Sequence, residues 1–270
     1  MLTSTFDVVV GKDDSSQRFT VYTDVMIKRS EFFRAARDSK WLSDPTKPTN
    51  LEDEDPEIFS TYLNCVYFGA EANRSEADFS KDHATARKRE YRPLPDAFDL
   101  PGGENSIEDD ELHPDEADPE DPDSVKHFEQ RMDALVKTYL LADKLQDLQT
   151  ANLVIDEIVY SCDAAGFNVS ARMARLVYES TVHPNPMRKL LRDTLVHETY
   201  SGQYMFLHDS VYPIELARDA AVEFLRLKDV NCAKSIQSVY SNVDVAKGKD
   251  KCYYHQHSEQ HPRCVPKPGQ

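Results

Sequence analysis

The chain has 270 residues, with 48 acidic against 32 basic, a net charge of −16, 40% hydrophobic residues and a mean hydropathy of −0.63. That length holds one large or two small domains, with enough apolar residues for a core and a part of the chain left solvated. The charge repels phosphate and argues against nucleic acid, no apolar run is long enough for a membrane span, and five scattered cysteines make no disulfide framework.

Met1–Thr5 carries neither the charged nor the apolar part of a signal peptide, so the expected setting is intracellular, nuclear or cytoplasmic. Phe6–Gly11 is short and β-branched, a strand closed by glycine. Residues 12–16 form a polar turn, and Arg18–Tyr22 alternates as the return strand of a hairpin. Asp24 is the expected N-cap of a helix over Val25–Asp38, with Val25, Met26, Phe32, Phe33 and Ala36 apolar and Ser30 as a break. Two prolines make Trp41–Thr49 a loop, which runs into a short third strand at Thr49–Leu51. Strands mixed with helices in this order predict an α+β fold.

Leu51–Gly69 is the best-punctuated stretch. Asp55 followed by Pro56 is a helix start, in which a side-chain acceptor precedes a proline whose missing N–H is not needed. Ile58, Phe59, Tyr62, Leu63, Val66 and Tyr67 make one broad apolar face, and Gly69 is placed to end the helix.

The motifs FDVVVG, FTVYTDVMIKRSEFF and LEDEDPEIFSTYLNCVYFG together resemble the BTB/POZ domain. That family's pattern has a DV strand, a second strand running into a helix that ends S-x-F-F, and a DPxxF helix that ends Y-x-G. Tyr22 and Thr23 stand where the family usually has His-Lys, and Thr23 replaces the basic residue that faces Asp7 in some relatives. The resemblance implies a non-enzymatic scaffold or substrate-recruiting adaptor, of the kind that serves a cullin-RING ubiquitin ligase. In that family the loop after the second helix often carries a hydrophobic-x-Glu used to bind a cullin. Here the matching positions are Trp41, Leu42 and Ser43, with Asp44 one place late, so Trp41, Leu42 and Asp44 are the candidate cullin surface. Phe6, Met26, Phe32 and Phe33 are the candidate homodimer contacts, and all four fit an ordinary core equally well.

Residues 70–124 interrupt the pattern. Lys81–Arg92 holds five basic residues, read as a solvated cluster in preference to a nuclear-import signal. Asp99–Asp123 holds 12 acidic residues, no Lys or Arg and four prolines, leaving a net charge of only −4 for the rest of the chain. Such a segment cannot offset its ordering entropy by burial and is expected to be a disordered insertion. It also carries the alternative reading, a transcription-associated cofactor that uses the acidic tract as its interaction segment.

Helical periodicity resumes at Val125. Leu135, Tyr139, Ala142 and Leu145 share a face, and LVKTYLLADKLQD resembles the next BTB helix. Ala151, Val154, Ile155, Ile158 and Cys162 form a second stripe, with Cys162 read as a core thiol. The BTB-like unit is therefore split, residues 5–69 plus 125–165. A helical extension follows over 166–240. Ser170 caps a helix bearing Met173, Leu176 and Val177, and Asn185-Pro186 opens one bearing Met187, Leu190, Leu191 and Leu195. After an aromatic loop over Tyr200–Ser210, Pro213 opens a third helix with Leu216, Ala217, Ala220, Phe224 and Leu225 inward. ARLVYESTVHPNPMRKLLRDT is similar to the region after the BTB fold in many fungal BTB proteins.

No Walker-type loop, GxGxxG, GxSxG or HExxH is present, His127, His183, His197 and His208 are dispersed, and no enzyme is expected. The tail over 241–270 differs. Within 13 residues it holds Cys252, His255, His257, His261 and Cys264. Cys252, His255, His261 and Cys264 would give a tetrahedral Cys₂His₂ set for one structural zinc, with His257 the alternative to His261. The competing reading is a Cys/His-rich end without a fold.

Overall fold

The computed structural model describes residues 4–38, 44, 47–69, 122–165, 170–200, 212–229, 252–259 and 261–264. Strands β1 (Thr5–Val10) and β2 (Gln17–Tyr22) pair antiparallel across a loop that holds one 3-10 turn (Asp13–Ser15), with Val8 opposite Phe19 and Phe6 opposite Val21. Strand β3 (Thr49–Leu51) lies parallel on the other side of β1, giving the order β2-β1-β3. The period of two in FDVVV puts Phe6, Val8 and Val10 on the buried face. A parallel neighbour requires a crossover, and helices α1 (Thr23–Arg29) and α2 (Glu31–Ala36) lie within it. Ser30 divides them as expected, its hydroxyl accepting from Phe33 N–H as the cap of α2. Asp24 is not the cap of α1; the helix starts two residues earlier than expected, after Tyr22, with no side-chain cap, and Asp24 sits in its first turn.

Helix α3 (Pro56–Phe68) has the expected ends: Asp55 accepts from Glu57 N–H, Pro56 opens the first turn and Gly69 closes the last. Phe59, Tyr62, Cys65 and Val66 are buried, with Ile58, Leu63 and Tyr67 packed around them. Helix α4 (Pro122–Lys144) begins three residues before Val125, inside the stretch assigned to the insertion, because Pro122 supplies a favourable first position. The rest of that insertion lies outside the described residues. Helices α5 (Leu148–Ala165), α6 (Ala171–Ser180), α7 (Pro186–Tyr200) and α8 (Ile214–Asp229) complete a mixed, mostly helical fold. Ser170 and Asn185 cap α6 and α7 through Met173 N–H and Met187 N–H. The expected stripes of α4 to α7 are buried, with Leu176 only partly so; the Cys162 side chain and residues 201–211 lie outside the described residues.

One helix turns differently from its periodicity. On α8 only Leu216 is fully buried and Ala220 partly, whereas Ala217, Phe224 and Leu225 are exposed and Glu223 lies inside. Glu223 accepts from Arg226 and sits 3.8 Å from Arg192 of α7, and these two cations make its burial tolerable. No described helix is long and apolar enough to cross a membrane.

Two glycines hold conformations that side chains resist. At Gly69 (φ +88°, ψ 163°) the backbone is in a region almost reserved for glycine, but a Cβ would meet nothing within 4 Å. At Gly11 (φ +89°) a Cβ would lie 3.1 Å from Ser15 O and 3.3 Å from Pro56 Cγ. Gly69→Ala is expected to cost about 1–2 kcal/mol from backbone strain alone. Gly11→Ala adds a packing clash and should cost about 1 kcal/mol more. Urea unfolding of the two variants side by side measures the difference.

Candidate metal centre

The described tail residues, 252–259 and 261–264, are irregular backbone that lies against α5 and α7. Tyr254 anchors it: the ring belongs to the main core cluster and the hydroxyl donates to Asp193 Oδ2 at 3.1 Å. Burial raises the Asp193 carboxyl above the ordinary carboxylate range, against the opposing pull of Arg192. Lys189 of α7 donates to Tyr253 O at 2.7 Å and stands 3.2 Å from the centroid of the Tyr253 ring. Two residues further on, Asn152 of α5 clasps the backbone. Its Nδ2 donates to Gln256 O at 2.8 Å and its Oδ1 accepts from Gln256 N–H at 2.9 Å. One helical turn along α5, Asp156 lies 2.8 Å from His255 Nε2.

These contacts gather four donors. One ligand atom each from Cys252, His255, His257 and Cys264 lie within 4.8 Å of one another, a group that could hold a metal ion. Cys252 is buried, the His255 side chain is only 5% exposed, and Cys264 lies at the exposed rim. His255 has Nε2 committed to Asp156 and Nδ1 turned to Cys264 Sγ at 3.4 Å. His257 Nε2 is buried and has no hydrogen-bond partner among the described residues. A buried imidazole nitrogen with no partner is costly unless something else meets it, and a metal ion does so. Partial desolvation, then hydrogen bonding with Cys252, raises the Cys264 thiol.

The structure thus gathers the alternative donor. His257 joins the cluster and His261 stays outside it, because residues 258 and 261 close on each other. Ser258 N–H donates to His261 O at 3.0 Å and His261 N–H donates to Ser258 O at 3.1 Å. That reversal turns the chain so that Cys264 returns beside Cys252. Asn152, Asp156, Lys189 and Asp193 escape a reading of the sequence, since they are polar residues on helices whose signals are their apolar stripes.

The other sequence-derived sites fare differently. Trp41 and Leu42 lie outside the described residues, and Asp44 is exposed, its carbonyl accepting from Lys47 N–H at 3.2 Å. Phe6, Met26 and Phe33 are no free surface. They are 5%, 0% and 0% exposed in the chain's own core, with Phe6 and Phe33 in ring contact at 5.7 Å, and Phe32, partly buried, packs against the same core. Of the dispersed histidines, His183 pairs with Asp219 at 2.7 Å on the surface. Comparison of the chain with protein-family models, with curated proteins and with solved structures finds no match.

Proposed function

We propose that this chain is a non-enzymatic, intracellular protein-interaction adaptor of BTB/POZ type, whose helical extension is completed by one structural zinc ion at its C-terminal tail. The observation that carries the adaptor reading is the closure of the split unit. The α1–α2 corner meets the α4–α5 corner through Ser30 Oγ to Leu145 O at 2.6 Å and Arg29 to Asp147 at 3.3 Å. Residues on either side of the interruption thereby belong to one packed body, as the resemblance in Phe6–Gly69 and in the α4 sequence requires.

Zinc is the metal that suits two thiolates and two imidazoles. Its usual bond lengths and tetrahedral angles put neighbouring N and S ligands about 3.5 Å apart. The His255 Nδ1 to Cys264 Sγ distance of 3.4 Å supports that geometry. Four protein donors leave no position for a reacting water, so the ion's role is to hold structure.

The partner class follows from the resemblance: a cullin scaffold at Trp41, Leu42 and Asp44. A pull-down from cell lysate with wild type, Trp41→Ala and a deletion of residues 99–123 tests it. Cullin should be retained by wild type and the deletion and lost on Trp41→Ala. Its absence from every eluate would defeat the ligase reading, and a partner set lost only on the deletion would favour the acidic-tract cofactor.

A further inference from the structure

The four donors all come from the tail, but the groups that aim them come from α5. We propose that the centre is a latch: zinc occupancy controls whether the tail is docked on α5 and α7, with Asn152 and Asp156 as its positioning residues. The inference rests on the zinc reading above and adds to it a coupling between metal and docking.

His255 and His257 flank Gln256. Asn152 engages both the N–H and the C=O of Gln256 with one amide, which fixes that residue's orientation and with it the two imidazoles on either side. Asp156 then takes His255 Nε2, leaving Nδ1 to face Cys264. A carboxylate on the far nitrogen sets the tautomer and orientation of a ligating histidine and makes it a better donor. A metal ion would close the loop from Cys252 to Cys264, whose described residues form no helix or strand to hold its shape. The docked tail favours the metal and the metal favours the docked tail, and the two couplings are equal by thermodynamic necessity.

Without the metal the tail keeps Tyr254 and Lys189 at its start, while the contacts of Asn152 and Asp156 to Gln256 and His255 lose the closed loop that holds those two residues in place.

The test uses full-length protein purified without a histidine tag, with Zn²⁺ itself as the probe. Affinity is read by competition with a chromophoric chelator, and backbone hydrogen exchange is read at Gln256. Asn152→Ala and Asp156→Asn should each retain one equivalent of zinc but bind it about 10-fold or more weakly, the usual cost of losing an outer partner. Asp156 is 60% exposed, so its replacement spares the fold even if Asn152→Ala perturbs α5. Chelation should release the Gln256 amide to fast exchange while amides in α3 stay protected. Unchanged zinc affinity in both variants, or a Gln256 amide as protected after chelation as before, would overturn the latch and leave the zinc reading standing. A wild type that binds no zinc would overturn both.

Discussion

Asp147→Ala is expected to cost about 3–5 kcal/mol of folding stability, the penalty for breaking a buried charge pair and stranding its partner. Asp147 has no exposed side-chain surface and serves three elements at once. Its Oδ1 accepts from Thr150 N–H at 2.9 Å as the cap of α5, and its Oδ2 accepts from Thr150 Oγ1 at 2.7 Å and Tyr62 Oη at 3.0 Å. Arg29 Nε stands 3.3 Å away, with the other guanidinium nitrogens donating to Val66 O and Thr150 Oγ1. Burial and the neighbouring Asp147 raise the Tyr62 phenol well above its ordinary range, so it serves as a donor to the carboxylate throughout neutral pH. Tyr62→Phe removes one hydrogen bond and should cost about 1 kcal/mol. In the double variant Arg29→Met/Asp147→Ala the stranded cation is gone, and the loss should be smaller than the sum of the two single losses. Urea unfolding in a fixed zinc buffer measures these variants, Arg29→Met alone and wild type, with the buffer holding the ligand contribution constant. A loss below about 1 kcal/mol for Asp147→Ala would show that this network does not join the two segments.

The elements whose ends are written locally are legible from sequence, and α3 is the clearest. Asp55, Pro56 and Gly69 each act within four residues of where they stand, so no tertiary knowledge is needed to place them. Ser170 and Asn185 are of the same kind. Asp147 is not: it caps α5 through Thr150 N–H, but its partner Arg29 lies 118 residues away. Glu223 shows the limit of periodicity, since a charged residue turned inward depends on Arg192 of another helix. The metal centre divides the same way. Residue types and close spacing expose the cluster, whereas the choice between His257 and His261 depends on where Asn152 grips the tail and on the closed pair at Ser258 and His261.

That choice makes the ligand set the sharpest remaining test. Wild-type protein should carry one equivalent of zinc by metal analysis, and Cys252→Ser, Cys264→Ser and His257→Ala should each lower the content well below one. His261→Ala should leave it unchanged, because His261 stands outside the cluster while His257 Nε2 is buried with no hydrogen-bond partner among the described residues. The reverse outcome, zinc lost on His261→Ala and kept on His257→Ala, would defeat the ligand assignment. Chelation should lower thermal stability in wild type and leave Cys252→Ser unaffected. With free zinc about 1,000-fold above its dissociation constant, the bound ion contributes about 4 kcal/mol. The effect should also depend on pH with a definite sign. The Cys264 thiol is raised, so at neutral pH the metal-free site holds that proton and binding must release it. From that proton alone, apparent affinity should weaken about tenfold for each pH unit below neutrality. Acidification should therefore reproduce the effect of chelator on wild type, and a zinc affinity flat between pH 7 and pH 6, both pH values chosen for the assay at about one unit apart, would exclude Cys264 thiolate as a ligand.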